Sequence, residues 1–440
     1  MTVARAIEAV LGPDLPIGVR AYDGSRLGPP DPPATLVIGS PAVFQRMVSA
    51  PGELGLGRAY VAGELDVEGD VYAALSALRD RVSDVRRFDA RRWAEALRLL
   101  GAGGWRRLPV PAEEARLRGR RHSKERDAAA ISHHYDVSNA FYRLVLGPSM
   151  TYSCAVWERP DVTLEEAQAA KYELVCRKLG LEPGMRVLDV GCGWGGMPIH
   201  AARHHGVHTV GITLSRRQVE WAEKAVAQAR MGDRVQIRYQ DYRDVRDGPF
   251  DAISSIGMFE HVGLSQLRVY FGRLRGLLRP GGRLLNHGIA RPPNGGRTRF
   301  RRRSFIDRYV FPDGELHEVG SVVTAIQERG LEVRHVEGLR EHYALTLRAW
   351  VRNLERRWAE AVTEVGPGRA RVWRLYMAAS ALNFEAGRTQ IHQVLAVRSD
   401  GGRSGLPLRP RFEHPEADDF LLPTPARPTM AGHGTTPAGT

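Results

Sequence analysis

The ten residues Val187-Leu-Asp-Val-Gly-Cys-Gly-Trp-Gly-Gly196 constrain this chain more than any others. Val187, Leu188 and Val190 form a short apolar, β-prone run that leads directly into four glycines, after which a helix is expected from Met197. Glycine takes positive φ without penalty and lets a ligand approach the main chain, while the first turn of the following helix offers unpaired N–H groups to an anion. The turn therefore has the form of a nucleotide cradle. It also sets the fold class, because a strand–turn–helix unit of this kind belongs to an α/β sheet.

The pattern repeats on both sides of the turn. Apolar runs at Arg186–Val190, His208–Ile212, Val235–Tyr239, Phe250–Ile256 and Arg283–His287 are separated by stretches of helical periodicity. That alternation predicts a doubly wound α/β fold with a mostly parallel sheet covered on both faces. Thr163-Leu-Glu-Glu166 and Ser215-Arg-Arg-Gln218 have capping-box spacing, which sets helix starts before Ala167 and Gln218. Residues 130–400 read as one α/β unit. Before it, residues 1–110 mix short apolar runs such as Ala34-Thr-Leu-Val-Ile38 with turn-rich pieces, which predicts a small N-terminal α+β domain, and residues 111–129 form a basic linker. Residues 401–440 are polar and rich in Pro and Gly without periodicity, so a disordered tail is expected there.

Composition limits the function classes. With 440 residues, 43% of them hydrophobic, the chain can bury a full core, and no apolar run approaches the roughly 20 residues of a membrane span. It does not open on a basic segment followed by an apolar stretch and a cleavage site, so a cytoplasmic setting is expected. Cys154, Cys176 and Cys192 are too few and too scattered for a disulfide framework or a Cys-based zinc site. Much of the basicity behind the net charge of +13 falls in Arg116-Leu-Arg-Gly-Arg-Arg-His-Ser-Lys-Glu-Arg126 and Arg297-Thr-Arg-Phe-Arg-Arg-Arg303. Such clusters attract polyanions, either nucleic acid or the anionic face of a bilayer, and Phe300 among the arginines favours the bilayer.

The glycine spacing fits two cofactors. Gly191-x-Gly193-x-x-Gly196 satisfies the dinucleotide fingerprint, and Asp189-x-Gly191-x-Gly193-x-Gly195 resembles the first motif of S-adenosylmethionine (SAM) methyltransferases. Ligands of open α/β sheets sit beyond the carboxyl ends of the strands, and here those ends carry the glycine loop, Thr213, Gln240-Asp241, Glu260-His261 and His287. Thr213 stands about twenty residues after the loop, where a dinucleotide site places an acid on the ribose, and this weighs against NAD. Glu260, His287 and His317 lack the close local spacing of zinc ligands, so no metal is expected among them.

Further motifs follow in order: His133-His-Tyr-Asp-Val-Ser-Asn139, Pro148-Ser-Met-Thr-Tyr-Ser-Cys154, Gly211-Ile-Thr-Leu-Ser215, Gln240-Asp-Tyr-Arg-Asp244, Gly257-Met-Phe-Glu-His-Val-Gly263, Asn286-His-Gly-Ile289 and His342-Tyr-Ala-Leu-Thr-Leu-Arg-Ala-Trp350. On these residues the chain resembles the cyclopropane-fatty-acyl-phospholipid synthases and their mycolic acid relatives, over about residues 130–398. The resemblance implies a SAM-dependent methyltransferase with a seven-stranded Rossmann-like sheet. It implies that Tyr152, Ser153, Asp189, Gly191, Gly193, Thr213, Leu214, Gln218, Gln240 and Asp241 hold SAM. It also implies that Cys154, Glu260, His287, the main chain at Ile289, and Tyr343 hold a bicarbonate ion that serves as general base. Unsaturated phospholipids as substrates, an anionic membrane surface as partner, no nucleic acid, and a homodimer follow from the same resemblance.

The chemistry accounts for such a set. A cis alkene is a poor nucleophile, so the methyl donor must be aligned against it and water excluded. Methyl transfer leaves a carbocation that aromatic faces such as Tyr152 or Tyr343 can stabilise, and a base must then remove a proton from the transferred methyl to close the ring. Glu260 and His287 can orient bicarbonate only as hydrogen-bond donors, which requires a raised Glu260 pKa or a charged His287. Two departures bear on the product: Ala140 stands where family members carry an acidic residue, and His287-Gly-Ile-Ala290 replaces the family's His-Thr-Ile-Gly. They leave methyl transfer in place and keep a methylene- or methyl-branched chain open as an alternative product. A nucleic-acid methyltransferase with its arginine clusters on phosphates is the competing reading outside lipids.

Overall fold

Period-two patterning in the first 70 residues forms a four-stranded sheet. Its strands are β1 (Gly18–Ala21), β2 (Arg26–Leu27), β3 (Ala34–Ile38) and β4 (Leu65–Gly69), in the order β2-β1-β3-β4. In β3 the side chains of Ala34, Leu36 and Ile38 are buried while Thr35 and Val37 are only partly so, which gives the sheet one core face. That face packs with Val19, Phe44 and Leu65. The computed structural model describes residues 2–84, 108–115, 138–293, 304–312 and 314–412. Both arginine clusters, and His133, His134 and Tyr135, lie outside the described residues, as does most of the expected linker and of the expected tail.

The expected strands of the larger unit form at the expected places: β5 (Arg186–Val190), β6 (His208–Thr213), β7 (Val235–Tyr239), β8 (Phe250–Ile256) and β9 (Leu278–Ala290). They are mutually parallel. With β10 (Glu332–Gly338) and β11 (Gln390–Val397) they make a seven-stranded sheet in the order β10-β11-β9-β8-β5-β6-β7, in which β11 runs antiparallel to both neighbours. The fold is therefore the doubly wound, mostly parallel α/β sheet expected from the alternation of strands and helices, with the seven strands that the resemblance implies. β9 begins five residues earlier than expected, because the Pro280-Gly281-Gly282 punctuation is absorbed by a register shift against β8 between Phe250 and Ala252. β10 gave little sequence signal: no residue of Glu332–Gly338 is fully buried, so its apolar alternation is weak.

The helix starts also hold. Thr163 caps Leu164–Leu179 through a complete capping box with Glu166, and Ser215 caps Arg216–Gln228 by accepting from the Gln218 amide. The C-terminal helix Trp358–Glu385 is broken at Gly366 (φ 78°) beside Pro367. Its second half is held against the N-terminal elements by Arg371–Asp66 of β4 at 3.0 Å and by Arg374 donating at 3.1 Å to the hydroxyl of Tyr60 on the helix Glu53–Val61. The same half-helix presents Tyr376, Ser380, Asn383 and Phe384 to the principal cavity, so the N-terminal sheet braces one wall of the site. Contacts accordingly join Met1–Gly405 in one unit, with Leu406–Thr440 a second.

Candidate active site

The carboxyl ends of β5, β6, β7 and β8 open into one cleft enclosing about 1690 Å³, solvent at its mouth included. At its head stands the glycine loop, where Gly191, Gly193 and Gly195 all take positive φ (81°, 54° and 88°). The reasons for glycine differ along the loop. A Cβ on Gly191 would lie 2.4 Å from the Met258 sulfur, and one on Gly196 would lie 2.2 Å from the Tyr172 hydroxyl, so both are crowded by the protein itself. At Gly193 no protein atom lies within 4 Å of such a Cβ, so the open side of the cradle is there.

The next strand ends supply polar lining. Thr213 Oγ1 donates to Gln218 Oε1 at 2.6 Å and accepts from the Ser215 amide at 3.3 Å. The Gln218 side chain thus turns to Thr213 instead of closing the capping box on Ser215, and both residues line the cavity with Leu214 and Gln240. Tyr152 and Ser153 line it as well.

Beneath the loop lie two buried ionisable groups, Asp189 and Lys171, the second of which the sequence reading missed. Asp189 accepts from Ser254 Oγ at 2.5 Å, which the register places opposite it on β8, so its partner is the neighbouring strand and not the loop main chain. Lys171, from helix Leu164–Leu179, donates to Ser153 Oγ at 3.1 Å and lies 3.8 Å from the centroid of the Tyr172 ring. Burial pushes the Asp189 carboxyl up to about 6 and the Lys171 ammonium down to about 7, each shift being opposed by the other's charge. Folding at pH 8 strips most of the proton that Lys171 carries in the unfolded chain, so burying this lysine costs stability there. Lys171→Met is therefore expected to be at least as stable as the wild type at pH 8, and urea unfolding checks this.

Glu260 lines the same cleft from the short helix Phe259–Val262 after β8. Its Oε1 accepts from the Ile289 amide at 2.7 Å, while Oε2 is buried without a partner among the described residues. Desolvation raises this carboxyl to about 7, against the pull of the Ile289 and Glu260 amides. Ile289 and Tyr343 share the cavity wall. Aromatic rings line and back the cleft: Tyr152 stacks on Trp350 at 5.2 Å, Tyr343 meets Phe384 at 4.7 Å, and the Tyr152 and Tyr376 hydroxyls are 3.1 Å apart.

Three expected site residues stand outside the lining. The Cys154 thiol is fully buried and directed at the carbonyls of Ala155 (3.2 Å) and Leu339 (3.7 Å), just before the helix that carries Tyr343. Asp241 pairs with Arg243 at 2.6 Å and caps the turn Tyr242–Asp244, so its carboxylate is spent on local structure. His287 lies within β9, where Lys178 donates to Gln393 Oε1 at 2.6 Å and thereby leaves the Gln393 amide group to donate to His287 Nδ1 at 3.2 Å. That makes His287 the neutral Nε2–H form, and burial keeps its pKa well below the ordinary value. Of the two requirements set out from the sequence, a raised Glu260 or a charged His287, the first is met and the second is not.

Lys171 and the C-terminal helix were missed by sequence reasoning. Lys171 is an isolated lysine on a helix, which ordinarily reads as solvated. Tyr376, Ser380, Asn383 and Phe384 follow an i, i+4, i+7, i+8 spacing that marks one helix face, and that period could have located the wall.

Known proteins share this architecture and more. Residues 122–394 match the family described as mycolic acid cyclopropane synthetase. A probable fatty acid methyltransferase of Mycobacterium tuberculosis is 50% identical over 409 residues, covering 90% of this chain and 95% of the relative. The cyclopropane-fatty-acyl-phospholipid synthase of Escherichia coli K12 is 33% identical over 380 residues, covering 85% and 90%. Among solved structures, the mycolic acid cyclopropane synthase CmaA1 complexed with SAH and CTAB superposes with a TM-score of 0.58 at 33% identity, over 61% of this chain and 98% of that one. The chain belongs to the mycolic acid cyclopropane synthetase family of SAM-dependent methyltransferases.

Proposed function

We propose that this enzyme methylates the cis double bond of unsaturated phospholipid acyl chains and closes a cyclopropane ring. The observation that carries the reading is that the glycine cradle and the buried Glu260 carboxyl face one aromatic-walled cleft. The residues fit SAM: Gly193 leaves room against the main chain, and Thr213, Leu214, Gln218 and Gln240 line the adjoining wall. Bound there, SAM supplies an electrophilic methyl on a positively charged sulfur.

The chain's own residues then have distinct duties. Tyr152, Tyr343 and Tyr376 hold the acyl segment, exclude water and present ring faces to the positive charge that methylation leaves on it. Glu260, raised to about 7, keeps a proton in a share of molecules at neutral pH and can donate it from Oε2 into the cleft. A small oxyanion fits beside such a donor, and Glu260, Ile289 and Tyr343 would hold bicarbonate, which supplies the base. Cys154 and His287 act behind this wall, Cys154 by hydrogen-bonding Leu339 at the start of the Tyr343 helix and His287 through the strand that carries Ile289.

Membrane docking through the two arginine clusters, at the cytoplasmic face, and a homodimer complete the proposal. Among the described residues no helix is long and apolar enough to cross a membrane. Expression in a host rich in oleoyl and vaccenoyl lipids should add the mass of one CH2 to those chains. NMR of the product separates a ring from a methylene branch, the alternative outcome, in which a hydride first shifts from the methylated carbon to its cationic neighbour and the methyl then loses a proton to leave C=CH2. Retention on anionic vesicles and not on RNA separates the lipid reading from a nucleic-acid methyltransferase.

A further inference from the structure

Outside the cleft lining, two helices bring a second set of reactive groups together. Cys176 lies on Leu164–Leu179, and His200 and His205 lie on Gly196–His205. The Cys176 sulfur and one ring nitrogen of each histidine are all within 4.8 Å of one another. Glu173, one helical turn before Cys176, places Oε2 at 3.3 Å from His200 Nε2 and 3.0 Å from His205 Nε2. Its other oxygen faces Arg177 at 3.8 Å.

We propose that Cys176, His200 and His205 form a binding site for a divalent transition ion of zinc type, with Glu173 holding the two imidazoles. One thiolate and two imidazoles are the donor types that select zinc over calcium or magnesium. Tetrahedral zinc needs its ligands roughly 3.5 Å apart, so side-chain rotations of about 1 Å close the site. Charge also balances: the thiolate and the Glu173 carboxylate together neutralise a dication. Binding expels the Cys176 thiol proton to solvent, and nothing is oxidised or reduced. Carboxylates hydrogen-bonded to imidazole are the usual outer support of such ligands.

The position gives the ion a structural consequence. The first helix carries Lys171 and Tyr172 and the second begins at the glycine loop, so the ion would tie together two elements that shape the cofactor end of the cleft. The His200 ring lies 5.5 Å from that of Tyr172, whose hydroxyl meets Thr151 Oγ1 at 2.6 Å.

The test uses the full chain, stripped with chelator and titrated with Zn(II) against a competing indicator, then with Co(II) followed by absorbance. One equivalent of zinc should bind, and the cobalt form should show a thiolate charge-transfer band. Cys176→Ser should remove that band, and His205→Gln should weaken zinc binding on the order of a hundredfold, with folding verified by circular dichroism. His204→Gln is the control, because the His204 ring lies 4.5 Å from that of His200 and an adventitious surface pair would depend on it. Absence of the charge-transfer band in the wild type, unchanged affinity in Cys176→Ser, or loss of binding in His204→Gln with retention in Cys176→Ser overturns the proposal. None of these readouts depends on methyl transfer, so the site and the proposed reaction stand or fall separately.

Discussion

Glu260→Gln is expected to cost a factor of about 10² or more in turnover while making the folded chain more stable above neutral pH. The amide can still accept from the Ile289 N–H and donate into the cleft, so geometry is kept and only proton transfer is lost. Stability follows from the shift itself. Burial raises the Glu260 pKa from 4.5 to about 7, so between those values the folded chain holds a proton that the unfolded chain has released. Stability therefore falls as pH rises through this window, and the full penalty, about 3 kcal/mol, is present above pH 7. Glutamine carries no charge and escapes it. Denaturant unfolding at pH 8 should show the variant ahead by up to that amount, and at pH 4 the two should coincide. A variant less stable at both values, or one with wild-type turnover, removes the role assigned to this carboxyl. Wild-type turnover should itself decline as pH rises through about 7.

Gly193→Ala is expected to remove most SAM affinity, at least tenfold, from a protein that still folds. Its φ of 54° makes alanine strained by roughly 1–2 kcal/mol, yet a Cβ there meets no protein atom within 4 Å. Whatever binding is lost beyond that strain reflects the ligand's approach to the main chain. Gly191→Ala is the contrast, since its Cβ would collide with Met258 and should destabilise the free protein as well. Calorimetric titration with SAM, alongside thermal unfolding of each variant, separates the two cases. Equal SAM affinity in Gly193→Ala and wild type would move the cofactor away from this loop.

Much of the fold was legible because local signals and tertiary packing agree. β5, β7 and β8 occupy the residues expected of them, and the Thr163 and Ser215 caps start the helices they announce. The rest was not legible for identifiable reasons. The Pro280-Gly281-Gly282 segment reads as a turn yet belongs to β9, since pairing with β8 and β11 satisfies the flanking groups around a bulge. In the site, Tyr152, Ser153, Asp189, Thr213, Gln218, Gln240 and Glu260 line one cavity, whereas Asp241 is drawn aside by Arg243.

What the sequence by itself determined is the run of five parallel strands and the helices between them, the glycine cradle and the list of groups at the strand ends, because each depends on residues close together in the chain. The protonation states and pairings were decided only by the tertiary structure. Lys171 is buried against Ser153, Gln393 fixes the tautomer of His287, and Glu260 loses its water through packing between residues far apart in sequence. Desolvation and charge proximity are properties of the assembled interior, and no local pattern of residues encodes them.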